Sequence, residues 1–295
     1  MGFCAFEGRA ASGVGGGGLL FAAWLCCLSM LAFEARGQEA INTPAATQPG
    51  EGIVVYQTRV RAVRFEGDPT GARRAGTELR FEHRLQYGVS GRDSLQADWS
   101  YVWREYHSGE GSPGVGDTDG AGDLRLSYKR RVWERDIGPV DTLRLSVFGG
   151  AELPVGGRDF TSASVDPFLG ATFLAILGRH GFNQSVSWEF TTGATESRLF
   201  AGDSLSDVLR FDSAYLYRLA PAAYGEEYAG SWYALVELNG VVETNGDTEG
   251  LVSPGVLYEG TTWAAELGVQ VPLWSDVDER PSVGWALSGG LRFLF

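Results

Sequence analysis

The closing stretch Val283-Gly284-Trp285-Ala286-Leu287-Ser288-Gly289-Gly290-Leu291-Arg292-Phe293-Leu294-Phe295 decides the fold. It sets Val283, Trp285, Leu287, Gly289, Leu291, Phe293 and Phe295 on one side of an extended chain, and Gly284, Ala286, Ser288, Gly290 and Arg292 on the other. Side chains alternate across a strand, so a period of two describes a strand with one oily face. A final aromatic on that face is the pattern of the last strand of a bacterial outer-membrane β-barrel, whose wall separates hydrocarbon from a polar interior. The expectation is that this face meets outer-membrane lipid and that Val283 to Phe295 is the strand presented to the barrel-assembly machinery.

The same period recurs upstream. Leu79, Phe81, Leu85 and Tyr87 alternate with Glu78, Arg80, Glu82, Arg84 and Gln86; after a turn at 88–93, Leu95, Ala97, Trp99, Tyr101 and Trp103 alternate with Gln96, Asp98, Ser100 and Arg104. A helix would scatter those charges around its surface. Further alternation runs through 56–64, 124–132, 143–153, 169–173, 186–190, 209–217, 234–238 and 265–273, with a weak segment at 252–258 that Pro254 and Gly255 interrupt. The total is about twelve, an even number as single-chain bacterial barrels require. The fold expected is all-β: an antiparallel, transmembrane up-and-down barrel over residues 52–295. Short connections (88–93, 178–182, 260–262) alternate with longer Gly- and Asp-rich ones, as periplasmic turns alternate with external loops; the linker 220–230 is too long for the short set.

Residues 1–37 read separately. Arg9 precedes an apolar stretch from Leu19 to Phe33, and Ala35-Arg36-Gly37 supplies the small residues of a cleavage site, so the segment is expected to be an export signal removed before Gln38. An uncleaved anchor helix is the alternative. All three cysteines, Cys4, Cys26 and Cys27, fall within it, leaving the exported chain without a thiol. Residues 38–51, small and polar with prolines and no periodicity, read as a flexible periplasmic lead-in.

Ionisable groups on the non-lipid face must look inward, because an Arg in mid-bilayer hydrocarbon costs roughly 2–4 kcal/mol. The expected pore-lining set is Arg59, Arg61, Arg80, Glu82, Arg84, Asp98, Arg104, Arg125, Arg144, Glu189, Asp212, Glu237 and Glu266. Cations, Lys129 and Arg131 among them, come from the early strands, and several carboxylates from late ones. Closure would then set a basic wall against an acidic one, a transverse field suited to polar or zwitterionic solutes. Twelve or so strands enclose more space than an eight-stranded barrel filled by side chains and less than a sixteen-stranded porin.

No catalytic set assembles. The histidines are His83, His107 and His180, and no G-x-S-x-G elbow occurs. Residues 117–123 open like a calcium loop, but Tyr128 stands where a closing Glu belongs, so turn chemistry is the reading there. No metal or cofactor is expected. A net charge of -13 without a basic cluster excludes a nucleic-acid partner.

Several segments together resemble the outer-membrane family named for the meta-pathway of phenol degradation, whose members are labelled transporters. They are Leu85-Gln86-Tyr87-Gly88-Val89-Ser90-Gly91-Arg92-Asp93-Ser94-Leu95, Gly120-Ala121-Gly122-Asp123-Leu124, Glu152-Leu153-Pro154-Val155-Gly156-Gly157-Arg158 and Leu267-Gly268-Val269-Gln270-Val271-Pro272-Leu273. The resemblance implies an outer-membrane channel for small compounds, hydrophobic or aromatic ones among them, with no catalytic residues to carry over. The alternative is a non-conducting structural or adhesion barrel with a salt-bridged lumen.

Overall fold

The computed structural model describes residues 39–108, 116–224 and 229–295. The expected export signal, and the anchor-helix alternative with it, lie outside the described residues. Thirteen strands run in order: β1 (Val54–Glu66), β2 (Ala75–Ser90), β3 (Asp93–His107), β4 (Gly116–Ala121), β5 (Leu124–Asp136), β6 (Thr142–Leu153), β7 (Asp166–Leu177), β8 (His180–Glu189), β9 (Val208–Ala220), β10 (Gly230–Glu243), β11 (Thr248–Gly260), β12 (Trp263–Asp276) and β13 (Ser282–Leu294). Successive strands pair antiparallel. β4 and β5 both pair with β3, along its upper and lower halves, so they form one interrupted stave and the barrel has 12 strands.

The interruption falls at Gly122 and Asp123, and residues 116–121 are strand. This corrects the turn reading of 117–123: the Gly- and Asp-rich run is mostly ladder, held by backbone pairing that propensity alone does not reveal. The Asp123 carboxylate accepts hydrogen bonds from the Gly156 (2.8 Å) and Ser162 (3.2 Å) amides, tying the break to the 154–165 loop.

Closure comes from β1 on β13, in register from Val55↔Leu294 to Glu66↔Ser282. The Phe295 amide donates to the Val54 carbonyl at 2.9 Å, and the Val54 amide to the Phe295 carbonyl at 3.0 Å. Among the described residues every strand but the short β4, which pairs with β3 alone, is paired along both edges, as hydrocarbon demands of a strand that crosses it. In the β10–β11–β12 region, where alternation is weakest, the β10–β11 ladder runs unbroken through Pro254, whereas the β11–β12 ladder lapses at 253–254 and resumes at Gly255↔Gly268.

Among the described residues, one barrel end carries Ile53, Phe295 and the connecting residues 91–92, 137–141, 178–179, 221–224 and 261–262; the other carries 67–74, 154–165, 190–207, 244–247 and 277–281. β9 ends at Ala220 and β10 begins at Gly230, so the long connection between them is genuine, and the β9–β10 register shifts right beside it, between Trp232 and Tyr233.

The outer face is oily on almost every strand. Leu95, Trp103, Leu169, Trp232, Leu267 and Leu287 are each about half exposed. So continuous an apolar band is far beyond what water tolerates on a monomer surface and matches the lipid-facing belt of a membrane barrel. Glycines make room for rings on this face: Phe211 lies over Gly240 and Trp274 over Gly250, the two rings stacked at 6.3 Å. Trp232, Tyr258 and Trp263 cluster near one rim at 4.9–5.0 Å separations. Trp99 sits at the centre of β3, stacked on His83.

One side chain in the opening stretch departs from its expected face. Val283 is 7% exposed and packs inside with Val63, Leu251 and Ala286. The ladder slips where Arg64↔Trp285 is followed by Phe65↔Val283, a bulge at Gly284 that turns the preceding residue inward. From Trp285 onward the odd residues face out as read.

Leu287, at mid-height on the outer face and paired with Ala62 and Val269, tests the sorting. Leu287→Arg should destabilise the folded barrel in bilayers by roughly 2–4 kcal/mol. The check is the urea midpoint for losing the compact, heat-modifiable band on gels.

Candidate functional site in the barrel lumen

Residues 39–50, expected as a flexible lead-in, lie inside the barrel. Eight of the twelve are buried, Ala40, Ile41, Thr43, Ala45, Ala46, Thr47, Gln48 and Pro49, with side-chain and backbone groups bonded to the inner wall. The Gly88 position on β2 lets the chain turn inward, since a Cβ there would meet the Gly50 carbonyl at 2.0 Å. Gln48 Nε2 donates to the Lys129 carbonyl at 3.1 Å, Ser146 Oγ to the Ala46 carbonyl at 3.1 Å, and Lys129 Nζ to the Ala45 carbonyl at 3.2 Å. The Glu237 carboxylate accepts the amides of Ile41 (3.1 Å), Asn42 (2.9 Å) and Thr43 (2.7 Å), besides Thr43 Oγ1 (2.7 Å). A carboxylate gathering successive amides is a strong, charge-assisted anchor.

Ile41 completes the seat. Its Cδ1 would lie 2.8 Å from a Cβ at Gly255 and 3.0 Å from one at Gly268, so two inward glycines form the hole for this one side chain. Around it pack Ala214, Leu216, Tyr233, Leu235, Leu257 and Ala264. Burying an Ile in this way is worth about 1.5–3 kcal/mol. The small and polar composition of 38–51 suggested mobility, but a charged lumen binds a polar strand through its backbone, which composition does not disclose.

At the far end the 190–207 loop crosses the mouth. Phe200 meets Phe65 edge-on at 5.9 Å and lies under the Arg80 guanidinium, while Ser197 bonds both Arg104 (2.9 Å) and, through its carbonyl, Arg74 (2.6 Å). Phe160, in the single 3-10 turn Arg158–Phe160, lies under Arg104. Between lead-in and loop remains a cavity of about 620 Å³.

Of the expected lining set, Arg59, Arg61, Arg80, Glu82, Arg84, Asp98, Arg104, Arg125, Glu189 and Asp212 border this cavity. Arg144, Glu237 and Glu266 are on the inner face but engaged elsewhere: Arg144 with Glu134 at 3.6 Å, Glu237 with the lead-in, Glu266 with Arg59 at 2.9 Å. The expected opposition of a basic and an acidic wall does not form. Cations pair with nearby carboxylates instead: Arg84 with Asp98 (2.5 Å), Arg125 with Glu189 (2.7 Å), Arg292 with Glu39 (2.7 Å). The reason is energetic, since taking ions from water costs several kcal/mol each unless a partner is in contact.

Glu78, not singled out in the sequence, is the most enclosed of these groups. Fully buried, it bridges Arg80 (2.6 Å) and Arg104 (2.7 Å). Its place in the Glu78-Arg80-Glu82-Arg84 alternation showed that it faced inward; nothing local showed that it holds two guanidinium groups.

The rings of His83 and His180 bond to tyrosines of the outer face: His83 Nδ1 shares a hydrogen bond with Tyr56, and His180 with Tyr215. Among the described residues, no group of three His, Cys, Asp or Glu side chains is spaced to hold a metal ion.

No known protein-family model matches the sequence, and no curated protein matches it either. Solved structures do resemble the fold. An outer membrane channel from Pseudomonas putida F1 superposes with a TM-score of 0.56 at 12% identity, covering 88% of this chain and 100% of that one. Weaker likenesses are the NanC porin (TM-score 0.44, 10% identity, 81% of this chain and 98% of that one) and the Ralstonia pickettii toluene transporter TbuX (TM-score 0.39, 10% identity, 83% of this chain and 90% of that one). The first likeness establishes the barrel architecture; the family resemblance read from the turns has that architecture behind it and no sequence match.

Two outcomes follow from this geometry. Glu78→Gln should destabilise the barrel by about 3–5 kcal/mol, because it strands two buried guanidinium groups; thermal loss of the folded gel band measures it. Glu39 gives a pH dependence. Burial alone would raise its carboxyl, but Arg292 and Lys129 outweigh that and hold it below the usual carboxylate range. A lowered folded value means that the anchoring is present above the ordinary carboxylate range and is lost as pH falls through the depressed one. A Thr43→Cys reporter should therefore stay shielded from dithiodipyridine, a disulfide that is activated by protonation and still reacts with thiols in acid, at neutral pH, and become reactive only after strong acidification.

Proposed function

We propose that the protein is an outer-membrane channel carrying small solutes through a narrow, charge-lined lumen, exported by residues 1–37 and beginning, once mature, at Gln38. The observation that carries the proposal is the combination of a lipid-suited exterior with an interior cavity bordered by ionised side chains. A wall sorted in this way has no structural need for an interior left partly unfilled.

The lining bears on the cargo. A purely hydrophobic solute would strip water from ionised and amide groups without replacing its hydrogen bonds, at roughly 2–7 kcal/mol for each group left unpaired. Polar solutes are therefore the better match, although Phe148, Phe160, Phe168 and Phe200 offer ring faces to an aromatic portion of one. The sealed alternative, a structural or adhesive barrel, draws support from the lead-in segment and the local ion pairs.

Planar-bilayer recording separates the two. The purified mature chain should show a small ohmic conductance, and Gly268→Val, which fills the seat of Ile41, should raise it several-fold. Absence of current from correctly folded, inserted protein in both forms contradicts the channel and leaves the sealed barrel.

A further inference from the structure

Two lumen charges of opposite sign escape the pairing that neutralises their neighbours. Arg61 makes one hydrogen bond, from Nη2 to Gln270 Oε1 at 2.6 Å, and its Nε is buried without a partner. Asp212 accepts one, from Asn239 Nδ2 to Oδ1 at 3.0 Å. Among the described residues neither has an ion-pair partner, whereas Arg59, Arg80, Arg84, Arg104, Arg125 and Arg292 all do. Among the described residues three other inward cations lack a carboxylate in contact, but each is covered: Lys129 by the Ala45 carbonyl (3.2 Å), Arg210 by the Ala201 carbonyl (3.0 Å) and Arg218, outside the cavity lining, by the Tyr224 ring (4.0 Å).

A chain of amides connects the two bare charges. Gln270 takes the Arg61 donor on its oxygen and donates from Nε2 to Asn239 Oδ1 at 3.1 Å; Asn239 then donates to Asp212, and Ser253 Oγ braces the Asn239 oxygen at 3.1 Å. Every amide oxygen thus points toward the cation and every amide nitrogen toward the anion. Reversing either amide would set donor against donor, so the network holds both charges in place and polarises in one direction.

The strand order separates them. From β1 the wall passes through β13, β12, β11 and β10 before reaching β9, five steps around a ring of 12, nearly the opposite side. At about 4.8 Å per step they cannot reach each other. Arg61, Gln270, Asn239 and Asp212 all border the cavity, whose volume of about 620 Å³ suits a small ligand.

We propose that this cavity binds a compact zwitterion, its anionic end on Arg61 and its cationic end on Asp212. A simple anion would leave Asp212 uncompensated and a simple cation would leave Arg61 so; a solute carrying both charges satisfies both. The inference rests on the lumen being accessible to solutes and narrows the class of solute.

The test uses three probes of one chain length, 6-aminohexanoate, hexanoate and hexylammonium, on the full mature protein. Calorimetry on the purified barrel and current block in bilayers are read in parallel. The zwitterion should bind at least tenfold more tightly than either singly charged probe. Arg61→Gln and Asp212→Asn should each abolish that preference, Arg61→Lys should restore part of it, and Gln270→Leu should weaken it in a barrel whose charges are intact. Equal binding of all three probes, or a preference that survives both charge-removing variants, overturns the site. Calorimetric preference without any ion current would keep the site and refute the channel; current without preference would do the reverse.

Discussion

Backbone hydrogen bonding is the constraint from which the rest of this molecule follows. A strand crossing hydrocarbon has no water for its amides and carbonyls, so the sheet must close, and here β1 closes on β13 along its whole length. Closure fixes an inside and an outside, and the two-residue period then assigns each side chain to lipid or to the lumen. Twelve strands enclose more volume than their inward side chains can fill, which demands other parts of the chain to close its two ends and leaves a cavity between them.

Three kinds of contact answer that demand. The 39–50 segment threads the near end, held by Glu237 and by the hole at Gly255 and Gly268; the 190–207 loop folds over the far end; and contact ion pairs stabilise the wall between them. Each depends on the barrel being closed, because Glu237 and Arg59, or Ser197 and Arg104, come from strands or loops far apart in the chain. The lumen's electrostatics are consequently local and mostly cancelled, with the Arg61–Asp212 axis standing out against that background.

Much of the wall was legible in the sequence, because alternation is a local property. Strand existence, the outward aromatics and the inward Arg59-to-Arg104 series needed only neighbours two residues apart. What escaped was non-local. The Gly284 bulge, which turns Val283 inward, arises from the slip against Arg64 and Phe65. The lead-in reads as mobile until the Glu237 carboxylate, almost two hundred residues away in sequence, gathers its amides. Likewise the pairing of Arg80 and Arg104 on Glu78, and the relay through Gln270 and Asn239, depend on register and barrel closure, so a list of inward charges misjudges the field they make.

The central claim is the sorting of oily and ionisable side chains across a closed wall. Spin labels placed singly along β13, from Trp285 to Arg292, test it in reconstituted bilayers. Oxygen collision rates should alternate with a period of two, high at 285, 287 and 291 and low at 286, 288 and 292. Uniform rates along the strand, or high oxygen access at 288 and 292, would contradict the account.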